Sequence, residues 1–189
     1  MRAIVLSGFG GLESLVIKEL PDPEPKAGHV LIAVKAFGVN HAETHMRKGE
    51  WAEAAEVSGI ECVGQVVAAP GGEFQTGDKV AAFMGGMGRT INGSYAELTL
   101  VPATNVVKIT TDLSWEEFAV VPESYATAWT CLYGNNILRI QLNRPAKKKA
   151  MTSSMYLSLA DLINSAARHD QIRVVLCHGA VCQSLQVQQ

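Results

Sequence analysis

Apolar and polar residues alternate in short runs up to about residue 108. The stretches RAIVLS, SLVIKEL, HVLIAVKAFGV, CVGQVVAAP, DKVAAF, GSYAELTLV and NVVKI each have the length and period of a strand. In SLVIKEL, Leu15 and Ile17 fall on one face. Turn residues punctuate the runs: Pro21, Pro23 and Pro25, then Gly71 and Gly72, then Gly77 and Asp78. Many short strands with such turns predict an antiparallel barrel or sandwich. Two helices follow. SWEEFAVV opens with Ser114 and Glu117 at capping-box spacing and is expected to stop at Pro122. ESYATAWTCLY carries Tyr125, Trp129 and Leu132 on a common face.

Beyond Gly134 the pattern changes. ILRIQLNRP alternates Leu138, Ile140 and Leu142 with Arg139 and Gln141, as in a strand with one wet face. TSSMYLSLADLINSAARHD has Met155, Leu159, Leu162 and Ala166 at helical spacing, with Thr152 or Ser153 as N-cap. IRVVLCHG is nearly all apolar and reads as a buried strand. Together these predict a strand-helix-strand unit. The division expected is residues 1–133, residues 134–180 and a disordered tail over residues 181–189, where AVCQSLQVQQ shows neither period nor turn signal.

The chain has 189 residues, 48% of them hydrophobic, which supports a packed core. A net charge of -2 argues against a nucleic-acid partner. The run Lys147, Lys148, Lys149 reads by itself as a solvated turn. No stretch is long and apolar enough to span a membrane, and the first residues are too short an apolar run for a secretory signal. The four cysteines Cys62, Cys131, Cys177 and Cys182 are scattered. That pattern suits a cytoplasmic location and offers neither a zinc lobe nor a disulfide framework. FMGGMGRTINGS is glycine-rich, but it runs into a strand where a dinucleotide fingerprint needs a helix, so it reads as a loop.

Residues 1–133 resemble the N-terminal catalytic domain of medium-chain dehydrogenase/reductases, in the zinc-independent, quinone oxidoreductase-like branch. The stretches that carry the resemblance are MRAIVLSGFGGLESL, PDPEPKAGHVLIAVKAFGVNHAETHMRKG, GIECVGQVV, GDKVAAF, GSYAELTLVPA and TAWTCL, in family order. The resemblance implies a GroES-like β-barrel that packs, in complete members, against a Rossmann domain with NADPH in the cleft. Zinc-dependent relatives have a metal-binding Cys where this chain has Asn40, and a metal-binding His where it has Ile60. Neither Asn nor Ile completes a tetrahedral zinc site, even with Glu61 and His41 nearby, so no zinc is expected. Hydride transfer to a quinone or an activated alkene would then rest on positioning alone.

The same resemblance supplies candidate site residues. Asn40 and Thr127 match positions near the nicotinamide and are the expected cofactor-binding residues. His45, where relatives often carry Tyr, and Arg47, in the same loop, are the candidates for a catalytic role. Each has a plainer reading: Asn40 caps a turn, His45 is a surface histidine, Arg47 sits in a solvated ion pair, and Thr127 packs in its helix.

No G-x-G-x-x-G follows TAWTCLYGN, and only about fifty residues remain, whereas a nucleotide domain needs two βαβαβ halves. No complete Rossmann domain is therefore expected. Instead, ILRIQLNRPAKKKAMTSSMYLSLADLINSAARHDQIRVVLCHGA resembles the N-terminal part of the crotonase (enoyl-CoA hydratase/isomerase) family, with Lys149 where that family usually has Asn. The fold expected is mainly β with an α/β addition. The function expected is that of a truncated or chimeric relative of an NADPH-dependent quinone oxidoreductase, inactive alone. The alternatives are a structural chimera without a ligand and a module that binds acyl-CoA or a nucleotide through its basic turn. The expected partner is a second copy of the chain, joined through strands 137–142 and 172–177.

Overall fold

The computed structural model describes residues 1–131, 137–142, 151–169, 172 and 174–179. The chain divides into two compact units, Met1–Ala126 and Thr127–Gln189. The junction at residues 134–136, the side chain of Leu132, the turn at residues 147–149 and the tail at residues 181–189 lie outside the described residues.

The first unit is mainly β. Strands β1 (Arg2–Leu6) and β2 (Leu15–Glu19) form an antiparallel hairpin. Strands β3 (His29–Ala36), β4 (Glu61–Ala68), β5 (Lys79–Phe83), β6 (Leu98–Pro102) and β7 (Val106–Lys108) make a five-stranded sheet in the order β6-β3-β4-β5-β7. Every pairing in it is antiparallel. Two register shifts between β3 and β4 bend the sheet, and bridges from Ala3 to Ala96 and from Val5 to Val57 tie the hairpin to it. The result is a curled half-barrel.

Period-two alternation chooses the core. Val30 and Ile32 of β3 and Val80 and Ala82 of β5 point inward with Cys62, Val66, Met87 and Val101. In β2 the inward residue is Val16, opposite Val5, while Ile17 lies opposite Ile4 and is exposed. The face shared by Leu15 and Ile17 is thus the outer one, because the pairing with Val5 fixes which side of the hairpin is buried.

Residues expected to form a loop form helix α1 (His41–Lys48) instead. Its signals are local. The Glu43 carboxylate accepts the main-chain N–H of Asn40, the N-cap residue. At the other end Gly49, left-handed at φ 74°, closes a Schellman motif: its N–H reaches the Met46 carbonyl, and that of Glu50 reaches the His45 carbonyl, each at 3.0 Å. The glycine-rich stretch after β5 is a loop, as its sequence implies: Met84, Gly85, Gly86 and Gly88 all have positive φ.

Helix α2 (Trp115–Ala119) begins at the Ser114–Glu117 capping box and packs Phe118 and Ala119 on Val63 and Ala81. Pro122 does not merely end it; it opens α3 (Pro122–Trp129), where a missing N–H costs nothing. Tyr125 and Trp129 of α3 are 69% and 64% exposed, so their shared face is not a core face.

In the second unit β8 (Ile137–Leu142) and β9 (Val174–Gly179) pair in parallel, from Ile137 opposite Val174 to Leu142 opposite Gly179. Helix α4 (Ser153–Ala167) connects them, capped by Thr152, whose hydroxyl accepts the Met155 N–H at 3.3 Å. Met155, Leu159 and Leu162 line a cavity with Ile140 and Leu142, and Ala166 is buried, as the helical spacing predicts. The apolar run read as a buried strand is not one: Val174 is 47% exposed and Cys177 is exposed. A two-stranded sheet has too few neighbours to bury both of its faces.

Candidate functional site

Three elements of the first unit meet at Asn40: the start of α1, the start of β4 and the start of α3. The Asn40 side-chain amide donates to Glu61 Oε1 at 2.8 Å. The other oxygen of that carboxylate accepts the main-chain N–H of Glu123 at 2.8 Å. Glu61 is 3% exposed, so both of its oxygens are spent on fixed protein donors. Gly38 makes room for this carboxyl, since a Cβ there would lie 2.8 Å from Glu61 Cδ. Asn40 is therefore held from both ends, its main chain by Glu43 and its side chain by Glu61.

Glu43 is buried as well. Besides Asn40, it accepts the N–H of Ile60 at 3.2 Å, and its charge acts on the Tyr95 hydroxyl. Burial raises the Glu43 pKa, against the pull of its hydrogen bonds, and the Glu61 charge adds to the rise. Burial together with the Glu43 carboxylate pushes the Tyr95 hydroxyl far above its ordinary range. Cys62, beside Glu61 in β4, is fully buried and its thiol is pushed up to about 12, mainly by burial, which leaves it inert near neutral pH.

A raised folded pKa has a definite sign for stability. Glu43 contributes most while protonated, below its ordinary unfolded pKa of 4.5, and that contribution is lost as pH rises through its raised folded pKa. Carboxyl-carbon NMR titration is expected to give a Glu43 midpoint above 4.5, and a midpoint below it contradicts this reading.

Asn40, Glu43, Thr44 and Arg47 line a cavity of about 120 Å³ together with Ser58, Tyr95, Leu6, Leu12, Leu15 and Val39. Of the candidates from sequence, it thus brings together Asn40 and Arg47. Arg47 is not in an ion pair among the described residues; its guanidinium donates to the Gly10 carbonyl and its own carbonyl accepts the Gly10 N–H at 3.0 Å. That pair of bonds clamps the β1–β2 connection onto α1. His45 goes elsewhere. It pairs with Glu50, meets the edge of His41 and stacks on Trp51 at 6.0 Å between ring centroids. Thr127 lies in α3, in the second unit, with an exposed side chain.

Glu43, Ser58 and Tyr95 were not among the sequence candidates. The Asn40–Glu43 spacing is a capping-box signal and marks Glu43; nothing local marks Ser58 or Tyr95, which arrive from other strands and loops. Among the described residues no three His, Cys, Asp or Glu side chains are grouped to hold a metal ion.

Residues 26–111 match the alcohol dehydrogenase GroES-like domain. The chain is 37% identical over 139 residues to the synaptic vesicle membrane protein VAT-1 homolog-like of Mus musculus, covering 70% of this chain and 32% of that protein. It is 34% identical over 142 residues to quinone oxidoreductase of Lama guanicoe, covering 70% of this chain and 40% of that one. A mycobacterial structure complexed with NADPH matches at 26% identity with a TM-score of 0.63, over 97% of this chain and 53% of its own length. The matched region thus spans well under half of the curated relatives' length.

Proposed function

We propose that the first unit is the acceptor-side half of a quinone oxidoreductase-type site, and that this chain alone does not reduce quinones at enzymatic rates. The observation that carries the reading is the two-ended fixing of Asn40 by Glu43 and Glu61 in a GroES-like domain similar to quinone oxidoreductases. A side chain held this way is suited to meet a flat acceptor or nicotinamide at a fixed angle.

The second unit argues against a complete cofactor site. Residues 143–151, between β8 and α4, contain no glycine. A dinucleotide turn needs glycines there for its tight bend and for close approach of the pyrophosphate. These residues do not fit NADPH, and we route no step through it. Thr127 remains the proposed nicotinamide neighbour in intact relatives, and His45 and Arg47 are proposed to act on structure more than on chemistry. The proposal includes no zinc, for want of ligands at Asn40 and Ile60.

Losing the positioning of two reactants forfeits about 7–11 kcal/mol of barrier reduction. Steady-state NADPH oxidation with a simple quinone is expected to stay below about 1 per second. A faster rate that falls on changing Asn40 overturns the reading. Coenzyme A is the informative second ligand: the sequence of residues 137–180 is crotonase-like, and Arg144 and Lys147 to Lys149 precede the helix start. A thermal shift with coenzyme A and none with NADPH favours the acyl-CoA-binding alternative. A shift with neither favours a structural chimera.

For partners we propose a homodimer built on the second unit. Among the described residues its parallel sheet has two strands, too few to be stable alone, and Tyr156 and Leu157 of α4 are exposed. Light scattering is expected to give twice the chain mass; a monomeric mass removes the dimer. No nucleic acid or membrane enters the proposal, and no described helix is long and apolar enough to cross a membrane.

A further inference from the structure

Among the described residues β6 is an edge strand, paired with β3 on one side only. The Val34 N–H donates to the Glu97 carbonyl at 2.9 Å, which sets the phase of the β3–β6 ladder. Ile32 and Thr99 exchange hydrogen bonds, as do Val30 and Val101, while the pairs Ala33–Leu98 and Leu31–Leu100 do not. The N–H and C=O groups of Leu98 and Leu100 therefore point outward, away from β3. β1 occupies that outer side beside Ala96 and Glu97: Ala3 faces Ala96, and the Glu97 N–H donates to the Arg2 carbonyl at 3.0 Å. Beside Leu98 to Leu100 no described strand takes its place. β2 lies beyond β1, and Leu20, which follows it, donates its N–H to the Met1 carbonyl at 2.9 Å. The residues after Leu20 and the outer edge of β6 thus border a lane one strand wide. A cavity of about 410 Å³ lies there, lined by Leu98, Thr99 and Leu100 on one side and by Leu20, Pro21 and Pro23 on the other. Consecutive strand residues point to opposite faces, so a cavity that touches all three reaches the edge itself. Pro21 and Pro23 have no N–H, which leaves β6 as the wall that offers a ladder.

We infer that this lane binds an extended peptide segment of another protein, added to β6 as an antiparallel strand in line with β1, acidic toward its N-terminal end and basic toward its C-terminal end. Outward N–H and C=O groups two residues apart are matched by a strand rather than by a compact ligand. Antiparallel pairing keeps the direction of β1 and is the more stable of the two. Charge sets the sequence. Lys26 and Glu56 line the cavity, and neither is in an ion pair with a described residue. Lys26 is at the Pro102 end, since its carbonyl accepts the His29 N–H at 3.2 Å and His29 is opposite Pro102. Glu56 is at the other end, next to Val57, whose N–H donates to Asn92 Oδ1 at 3.2 Å. Asp22 also lines the cavity but is already paired with the Met1 amine at 2.9 Å. A strand antiparallel to β6 starts beside Pro102 and runs toward Asn92. Its first residues therefore meet Lys26 and its last meet Glu56. Asn40, Glu43 and Glu61 do not line this cavity, and the inference holds whether or not the chain meets a nicotinamide.

The probe is the peptide Glu-Val-Thr-Val-Lys, acetylated and amidated, titrated into the full chain labelled with nitrogen-15. It is expected to shift the amides of Leu98 and Leu100 saturably. Lys-Val-Thr-Val-Glu has the same composition with its charges exchanged. It is expected to bind at least roughly fivefold more weakly, the worth of two exposed ion pairs. With the glutamate beside Pro102, the threonine and lysine of the probe stand opposite Leu100 and Leu98. Methylating those two backbone nitrogens is expected to weaken binding at least roughly tenfold, the worth of two hydrogen bonds. Leu100→Pro removes one outward N–H and no ladder bond, in a place where an edge strand accepts proline. It is expected to lose at least roughly fivefold in affinity while remaining folded. The absence of saturable shifts overturns the site. Undiminished binding by the methylated peptide, or by a folded Leu100→Pro, overturns the pairing with β6. Equal binding by the charge-exchanged peptide overturns the assigned sequence. Shifts at Leu98 and Leu100 that grow with chain concentration before any peptide is added overturn the assigned occupant and make it a second copy of the chain.

Discussion

Glu61→Ala is expected to destabilise the first unit by about 3–6 kcal/mol. The carboxylate accepts the Asn40 side-chain N–H and the Glu123 main-chain N–H, each at 2.8 Å. Removing it strands two part-buried donors, and a hydrogen bond to a charged group is worth about 1.5–3 kcal/mol. Glu61→Gln separates charge from shape. It keeps the volume that Gly38 accommodates but turns an amide N–H₂ toward one of the two donors, so a loss of about 1.5–3 kcal/mol is expected. Urea unfolding gives both values. Loss of the protected Asn40 side-chain amide signal in Glu61→Ala would locate the damage. A Glu61→Ala chain within about 1 kcal/mol of the parent would mean that the network is ornamental.

Gly64→Val is the second large effect, expected to exceed about 3 kcal/mol. Gly64 sits in β4 opposite Val34 and Val80. A Cβ there would lie 2.8 Å from Ile32 Cγ2 and closer still to the Ala33 carbonyl oxygen, which belongs to the backbone of β3 and has nowhere to go. The two central strands would have to separate, and Asn40 and Glu61 hang from the ends of those strands. Gln65→Ala, one residue along and exposed, is the control and should change stability by no more than about 0.5 kcal/mol. Thermal unfolding of the two variants side by side checks the contrast; equal melting temperatures would contradict it.

The strands were legible because each carries its own alternation and its own Gly or Pro turn, both local signals. Helix α1 was not, because six of its eight residues are polar, all but Ala42 and Met46, and it looks like a loop; the two short-range marks, Glu43 three residues after Asn40 and Gly49 at the end, were the readable ones. Which face of β2 is buried was not legible for a different reason. Leu15, Val16 and Ile17 are all apolar, so composition could not say which side is buried, and only pairing with Val5 decides it. β9 shows the converse: an apolar run usually means burial on both faces, but Val174 and Cys177 are exposed in a two-strand sheet. At the site, family resemblance singled out Asn40, and the structure shows what fixes it. Ser58 and Tyr95 are separated from Asn40 in sequence and were beyond any local rule. His45 and Arg47 stand four and two residues from helix-ending Gly49, yet one faces Glu50 and Trp51 and the other the Gly10 loop, a difference set by the 3.6-residue turn.

Under the proposed function, this chain holds the acceptor-side half of the site without a working nucleotide half. Calorimetric titration of the intact chain with NADPH tests it most directly. The expected result is no saturable heat and no rise in unfolding temperature. A saturable isotherm near one NADPH per chain, with the stabilisation of about 2.7 kcal/mol due at a hundredfold excess over the dissociation constant, would contradict it.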